Sequence, residues 1–288
     1  MGNINSKNCD SISTKNFIMG RFKIEDLPKE MIPEILSRLP TESVLECKLV
    51  CKSWRDIIHF PSFSQKHLNH LTSAGDSGKL SFVFLSRYPT NINPITGQYL
   101  MLEEFTYAEY DENSHEAPFN RKVRIYINLP FYRHSFAGSC NGLICLDSWH
   151  KDIYGATYIF NPVTREYVIL PTSEGSNYWS GFGYIPSTNE YKVVRIYNSL
   201  GDSNVRLRSI QVYTLGSSTG WRNVGTMDRT MQFYRKDAGA FVNGALYWAD
   251  EEGTILAFHL ADEKFSKLPS PPWFTRSEIP PFPISLGV

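Results

Sequence analysis

The stretch "GSCNGLICLD" at residues 138–147 places two of the chain's five cysteines, Cys140 and Cys145, around an Asn-Gly pair. Two thiols so close raise three chemistries: a disulfide, a metal clasp or a nucleophile. Each needs a geometry that the local fold must supply. Asn141-Gly142 is a strong type I′ hairpin signal, because both central positions of that turn take positive φ. A two-residue loop pairs Cys140 with Leu143 and makes Cys140 and Cys145 diagonal neighbours, with Cβ atoms about 7 Å apart. A disulfide wants roughly 3.5–4.5 Å, so a hairpin disfavours it. A strand running straight through would instead point the two side chains to opposite faces. His150 is the only further donor nearby, and three ligands do not make a structural zinc site. The pair reads as two small buried thiols flanking a turn.

The remaining chemistry-bearing residues give no reaction centre. Cys47 and Cys51 lie one helical turn apart, with no third or fourth ligand at workable spacing. Residues 138–142 misplace the glycines of a G-x-S-x-G elbow. Gly181-Phe182-Gly183 lacks the third glycine and the following helix of a phosphate loop. Glu103-Glu104 and Asp250-Glu251-Glu252 sit in polar contexts and read as solvated faces, not as a catalytic carboxylate pair. His67 and His70 read as part of a surface helix or loop. No set of nucleophile, base and orienting group is legible, so no catalytic residue, metal or cofactor is expected.

The elements that carry these residues differ along the chain. Lys+Arg and Asp+Glu are equal at 29 each, so no overall field favours nucleic acid or an anionic membrane. Aromatic residues reach 14%, and 19 Gly with 17 Pro suit short strands and many turns. No apolar run approaches the roughly 20 residues that cross a bilayer. The odd cysteine count fits reduced thiols of the cytosol or nucleus, and no Asn-x-Ser/Thr sequon is present. Residues 1–20 read as a disordered polar leader, although Met1-Gly2-Asn3-Ile4-Asn5-Ser6 fits the N-myristoylation pattern. One acyl chain binds membranes only marginally; Cys9 is the candidate for a second, through palmitoylation.

In "IEDLPKEMIPEILSRLP", Ile32, Ile35, Leu36 and Leu39 recur at 0, 3, 4 and 7, an apolar helical stripe. Asp26 stands where an N-cap belongs and Pro40 marks the stop. Pro33 requires either a helix that starts beside it or a kinked first turn. In "TESVLECKLVCKSWRDII", Ser43 and Glu46 have capping-box spacing with Thr41 as a rival cap. Cys47, Val50, Cys51 and Trp54 repeat the 0, 3, 4, 7 stripe, which Ile57 and Ile58 continue until "HFPSF" breaks it.

The run "LPKEMIPEILSRLPTESVLECKLVCKSWRDIIHFPSFSQKHL" resembles the F-box, particularly its plant form. The resemblance implies a trihelical module that docks on the Skp-type adaptor of a cullin-based ubiquitin ligase. The positions it marks as adaptor-facing are Leu27, Pro28, Ile35, Leu36, Leu39, Pro40, Leu45, Val50, Cys51 and Trp54. Pro33, Glu42 and Glu46 depart from the pattern at positions outside its signature.

After a Gly/Ser-rich linker at 71–80, β-branched and aromatic runs between turn residues dominate. "NPITGQYLML" at 93–102 echoes "NPVTREYVIL" at 161–170. The Asn-Gly of residues 141–142 is echoed at 243–244, 102 residues on (243 minus 141). That is about two units of the 40–50 residues usual for propeller blades. The stretches "GSCNGLICL", "IFNPVTREYVILP", "GFGYIPSTNEYKVVRI" and "FVNGALYWAD" resemble the kelch-like F-box-associated domain of plant F-box proteins. That family uses the domain as a non-catalytic platform for recruiting targets.

The expected architecture is therefore α plus all-β. It comprises a leader (1–20), a trihelical F-box (21–70), a linker (71–80) and a β-propeller-like domain (81–288) that ends short of closure. The expected function is the substrate-recognition subunit of a cullin-type ubiquitin ligase, binding a Skp-type adaptor and an unidentified protein target. The alternatives are a propeller binding module outside any ligase, and a propeller lectin or hydrolase. The expected location is cytoplasmic, nuclear or both, with peripheral membrane association through an acylated Gly2.

Overall fold

The computed structural model describes residues 27–28, 30–73, 79–92, 99–111, 114, 118–126, 132–150, 153–172, 176–200, 206–227, 238–249 and 254–269. Gly2, Cys9, Asp26 and Asp250-Glu251-Glu252 lie outside them. The chain divides into two units, Met1–Ser81 with Glu109–Asn120, and Phe82–Ala108 with Arg121–Val288.

The first unit carries four helices: α1 (Met31–Leu36), α2 (Thr41–Cys47), α3 (Lys52–His59) and α4 (Pro61–Ser73). Pro33 is the third residue of α1, so its missing N–H is one that a first turn leaves without an intrahelical partner. Its own carbonyl accepts from Ser37 N–H at 3.0 Å, and the helix continues without interruption. The Ser43/Glu46 capping box does not form: α2 begins at Thr41 behind Pro40, which places Ser43 inside the helix. The second stripe is also not one helix. Lys48, Leu49 and Val50 form a turn, and Cys51 is extended (φ −158°, ψ 166°) at the head of α3. Spacing in sequence cannot see that break, because every residue in it is compatible with a helix.

The three helices expected of the module are followed by one more. The fourth helix, α4, follows Pro61 at the first helical position, where proline is well suited, and runs three residues into the stretch assigned to the linker. Leu36, Val44, Ile58 and Phe63 form a small core, one residue from each helix, with Ile32, Leu39, Cys47, Trp54 and Ile57 packed around it. Two polar ties hold α4 to α1 and the segment after it. Lys66 pairs with Glu34, and His67 Nε2–H donates to the Leu39 carbonyl at 2.9 Å while its ring stacks on Phe63. His67 is buried, not a surface histidine.

Most of the sheet structure lies in the second unit, although Lys79–Ser81, Glu109–Asp111 and Phe119–Asn120 fall in the first. Strands β1 (Lys79–Ile92), β2 (Tyr99–Asp111) and β3 (Phe119–Ile125) form a three-stranded sheet in that order. Strands β4 (Tyr132–Cys140), β5 (Leu143–His150), β6 (Ile153–Phe160) and β7 (Tyr167–Ile169) form the second. The third holds β8 (Ser176–Ile185), β9 (Glu190–Leu200), β10 (Arg206–Thr214) and β11 (Arg222–Met227). The fourth holds β12 (Ala240–Val242), β13 (Ala245–Ala249), β14 (Ile255–His259) and β15 (Lys264–Leu268). Each four-stranded sheet is an antiparallel meander, and its first strand packs against the first strands of the others. That is the radial repetition of a propeller-like domain.

The two Asn-Gly pairs occupy equivalent turns. Asn141-Gly142 (φ 50° and 76°) joins β4 to β5 with Cys140 opposite Leu143, and Asn243-Gly244 (φ 48° and 80°) joins β12 to β13 with Val242 opposite Ala245. One complete sheet, β8 to β11, lies between, so the 102-residue spacing spans two repeats. "NPVTREYVIL" forms the turn between β6 and β7. There the Asn161 side chain accepts from the backbone N–H of Val163 (2.9 Å) and Thr164 (3.2 Å), while Arg165 takes φ 63°. Residues 93–98 of its echo lie outside the described residues.

Sheets stack through apolar layers. Ile185, Val194, Ile196, Ile210, Val212, Leu246, Trp248, Leu256, Phe258 and Leu260 form the layer between the third and fourth sheets. Gly181 and Gly183 are not part of a phosphate loop; they are close-approach positions of the inner strand β8. A Cβ at Gly181 would stand 2.8 Å from Leu246 Cδ1, and one at Gly183 would stand 2.4 Å from Phe241 Cδ2. Gly239 N–H donates to the Ser180 carbonyl at 2.8 Å, so the third sheet and the segment leading into the fourth touch at the backbone.

Candidate functional site

The chemistry on the helical module is apolar. Among the adaptor-facing positions assigned from sequence, Val50 is 50% exposed and Ile35 43%, and Pro28 and Pro40 are also exposed. Leu27, Leu39, Leu45, Cys51 and Trp54 are half-buried, with Leu39 and Trp54 packed against the helical core. Leu36 is 2% exposed and is a core residue, so it supports the surface instead of forming it. Sequence reasoning passed over Leu49, 80% exposed in the turn between α2 and α3, together with exposed Met31 and Phe60. A signal for Leu49 was present: an apolar residue lying off the buried stripe. Arg55 Nε donates to the Lys48 carbonyl at 3.2 Å, which ties the start of this turn to α3.

The thiols sit as the hairpin requires. All four described cysteines are free. Cys145 pairs with Gly138, two positions from the Cys140–Leu143 pair, and both thiols join the apolar layer of Ala137, Ile159, Leu170, Phe182, Val193 and Tyr213. Burial pushes the Cys140 thiol up to about 11. Burial, reinforced by the Asp147 charge, pushes Cys145 well above its ordinary value. Both are protonated at neutral pH and are poor nucleophiles and poor metal ligands.

The ionisable side chains of the β-domain are organised as clasps between neighbouring sheets. Between the first two sheets, Glu103 accepts from His134 Nδ1–H (2.6 Å), from the His134 backbone N–H (3.0 Å) and from Arg87 Nε (2.7 Å). Glu103 is therefore not a solvated carboxylate, and Glu104, on the opposite face of β2, pairs with Arg124 at 2.6 Å. A strand sends successive side chains to opposite faces, which separates two acids that the sequence places together.

Between the second and third sheets, Asp147, Thr157, Ser180 and Arg195 form one buried network. Thr157 donates to Asp147 at 2.6 Å, Ser180 donates to the other carboxylate oxygen, and Arg195 reaches Thr157 and, at 3.4 Å, Asp147. The Arg195 guanidinium lies 4.6 Å from the centre of the Trp221 ring. Between the third and fourth sheets, Glu263 joins Lys192 (2.8 Å) and Arg222 (2.5 Å). None of these residues was singled out from sequence, because every contact by which they cross between sheets joins residues 33 or more positions apart. In each clasp the carboxylate oxygens accept from protein donors, an arrangement that fixes neighbouring sheets together.

The clasps set the acid limit of the fold. Burial raises the Glu103 and Glu263 carboxyls, but hydrogen bonds from His134 and Arg87, and from Arg222 and Lys192, outweigh it and hold both below the usual carboxylate range. A carboxyl with a lower pKa in the folded state adds stability above the unfolded value of about 4.3 and loses it as pH falls through the folded one. The thermal midpoint should therefore hold down to about pH 5 and fall steadily as the pH drops further through the unfolded value of about 4.3. In Glu103→Gln the midpoint at neutral pH should start lower and fall less on acidification. An acid-side slope equal to that of the parent protein would remove Glu103 from this account.

Among the described residues no three of His, Cys, Asp and Glu gather as a metal-binding group. Fold and surface chemistry together define a helical module with exposed apolar side chains, joined in one chain to a propeller-like β-domain fixed by buried clasps. Comparison with known proteins gives the family. An F-box domain model matches residues 24–66, and a model of the F-box associated beta propeller domain matches residues 104–277, more than half of the chain. The chain belongs to the plant F-box proteins that carry an F-box associated β-propeller domain. It is 28% identical to the F-box protein At3g07870 of Arabidopsis thaliana, over 86% of this chain and 61% of that relative. It is 26% identical to the F-box/kelch-repeat protein At3g23880 of the same plant, over 87% of this chain and 67% of the relative. The chain thus spans about three fifths of the first relative's length.

Proposed function

We propose that this protein is the substrate-recognition subunit of a cullin-type ubiquitin ligase. In this reading the F-box helices dock on a Skp-type adaptor, and the β-domain holds a protein target near the conjugating machinery. The observation that carries it is the exposure of apolar side chains on the module that matches the F-box, led by Leu49 and Val50 in the turn between α2 and α3. Apolar side chains left in water on a small module gain free energy when a partner covers them. No chemistry is required of the chain itself. Holding a target beside an activated ubiquitin raises its effective concentration, and the bond-making groups belong to other subunits. Such a subunit would work in the cytoplasm or nucleus, with membrane attachment dependent on acylation of Gly2.

The test is co-purification of the full chain with a Skp-type adaptor. Leu49→Lys with Val50→Lys should weaken the association by at least about tenfold, the effect of removing a central apolar anchor, and leave the helical circular dichroism unchanged. These positions separate docking from folding better than Leu39 or Trp54, which pack on the helical core. Undiminished association of the double variant would overturn the proposal.

A further inference from the structure

The two Asn-Gly turns are matched in sequence and differ in setting. Asn141 and Asn243 are both exposed at the tips of their hairpins. Neither Gly142 N–H nor Gly244 N–H donates to a backbone carbonyl among the described residues. No atom outside the adjoining residues lies within 4 Å of where a Cβ would stand on either glycine, so each glycine nitrogen is uncrowded. A free glycine nitrogen next to a side-chain amide is the arrangement in which asparagine, a thermolabile residue, cyclises.

We propose that Asn243 is a site of spontaneous deamidation in the folded protein, and that Asn141 is protected from it. The Gly244 nitrogen attacks Cγ of Asn243. The new C–N bond closes a succinimide ring as the Cγ–Nδ2 bond breaks, and ammonia leaves with the glycine proton. Water then opens the ring at either carbonyl. Opening at Cγ gives aspartate; opening at the main-chain carbonyl gives isoaspartate, whose backbone is longer by a methylene. Ring closure needs a rotation about the asparagine ψ that a type I′ turn does not contain, so the hairpin must open first. Opening is where the two turns part. β4 is nine residues long and is anchored by buried His134 and Ala137. β12 is three residues long, and all three are half-buried. Short strands with few buried side chains open at the least cost. Asn141 is also held by its side chain, whose Nδ2–H donates to the Tyr191 hydroxyl at 3.3 Å. The Asn243 side chain has no such tie among the described residues. Isoaspartate at position 243 does not fit a two-residue turn. The fourth sheet then loses the Val242–Ala245 pairing and the bond from Leu260 N–H to the Gly244 carbonyl (3.0 Å).

The test is incubation of the full chain in mildly alkaline buffer, with peptide mapping by mass spectrometry at intervals. Both sites are Asn-Gly, so their intrinsic rates are close and the ratio of observed rates reports the difference in hairpin opening. Asn243 should convert at least about fivefold faster than Asn141 in the native protein, and the two rates should converge in denaturant. After the same incubation, hydrogen exchange should be faster in β13 and unchanged in β9. Asn243→Gly, which keeps a residue that accepts positive φ but removes the amide, should preserve the protection of β13. Equal rates at the two sites in the native protein, faster conversion of Asn141, or conversion of Asn243 only after denaturation would overturn the proposal.

Discussion

Arg195→Leu is expected to lower the stability of the β-domain by about 3–5 kcal/mol, the range found when one member of a buried ion pair is removed. Arg195 is 1% exposed and Asp147 3%, so water cannot take over the lost interactions. The substitution leaves a carboxylate enclosed by two hydroxyl donors, Thr157 and Ser180, with no cation beside it. It also removes the cation held against the Trp221 ring. A loss of this size is a large fraction of the total stability of an ordinary domain, so soluble yield should fall together with the thermal midpoint. Adding Asp147→Asn should recover part of the loss, because the stranded charge is what costs most. An Arg195→Leu protein within about 1 kcal/mol of the parent in chemical denaturation would show that the network does not hold the second and third sheets together.

Gly183→Val is expected to be the most damaging of the small-to-large changes, at about 3 kcal/mol, the upper end of ordinary overpacking. The added Cβ alone would meet the Phe241 ring at 2.4 Å and Leu260 Cδ1 at 2.7 Å. Neither neighbour has room to withdraw, because Leu260 is fully buried and Phe241 packs against the same apolar layer. Shortening Phe241 to Ala in the Gly183→Val background should return part of the stability, and the two changes should couple by 1 kcal/mol or more. Simple additivity of the two losses would place the strain of Gly183→Val elsewhere than in the contact between the third and fourth sheets.

These two positions illustrate how differently the chain's features were legible. The hairpins at Asn141-Gly142 and Asn243-Gly244 could be located from sequence, because a type I′ turn depends on two adjacent residues that tolerate positive φ. The arrest of thiol chemistry at Cys140 followed from the same turn. The helical stripe around Leu36 was equally readable, but its use was not: Leu36 fills the core, and Leu49, off the stripe, is exposed. The division of the second stripe between α2 and α3 was invisible, since Lys48, Leu49 and Val50 are all compatible with helix. Arg195 and Asp147 lie 48 residues apart and carry no local mark at all.

Local backbone chemistry and short-range periodicity belong to the sequence: where strands turn, which helices have an apolar side, and that the chain joins a helical module to repeated β-meanders. Motif order along the first 70 residues also determined the family. The tertiary structure alone decided which charges meet, which glycines are contact points and which apolar side chains remain outside. Those outcomes depend on strands brought together from distant parts of the chain. A carboxylate's environment is set by the sheet packed against it, not by its neighbours in sequence, and this is why Glu103 and Glu104, adjacent in the chain, serve different partners.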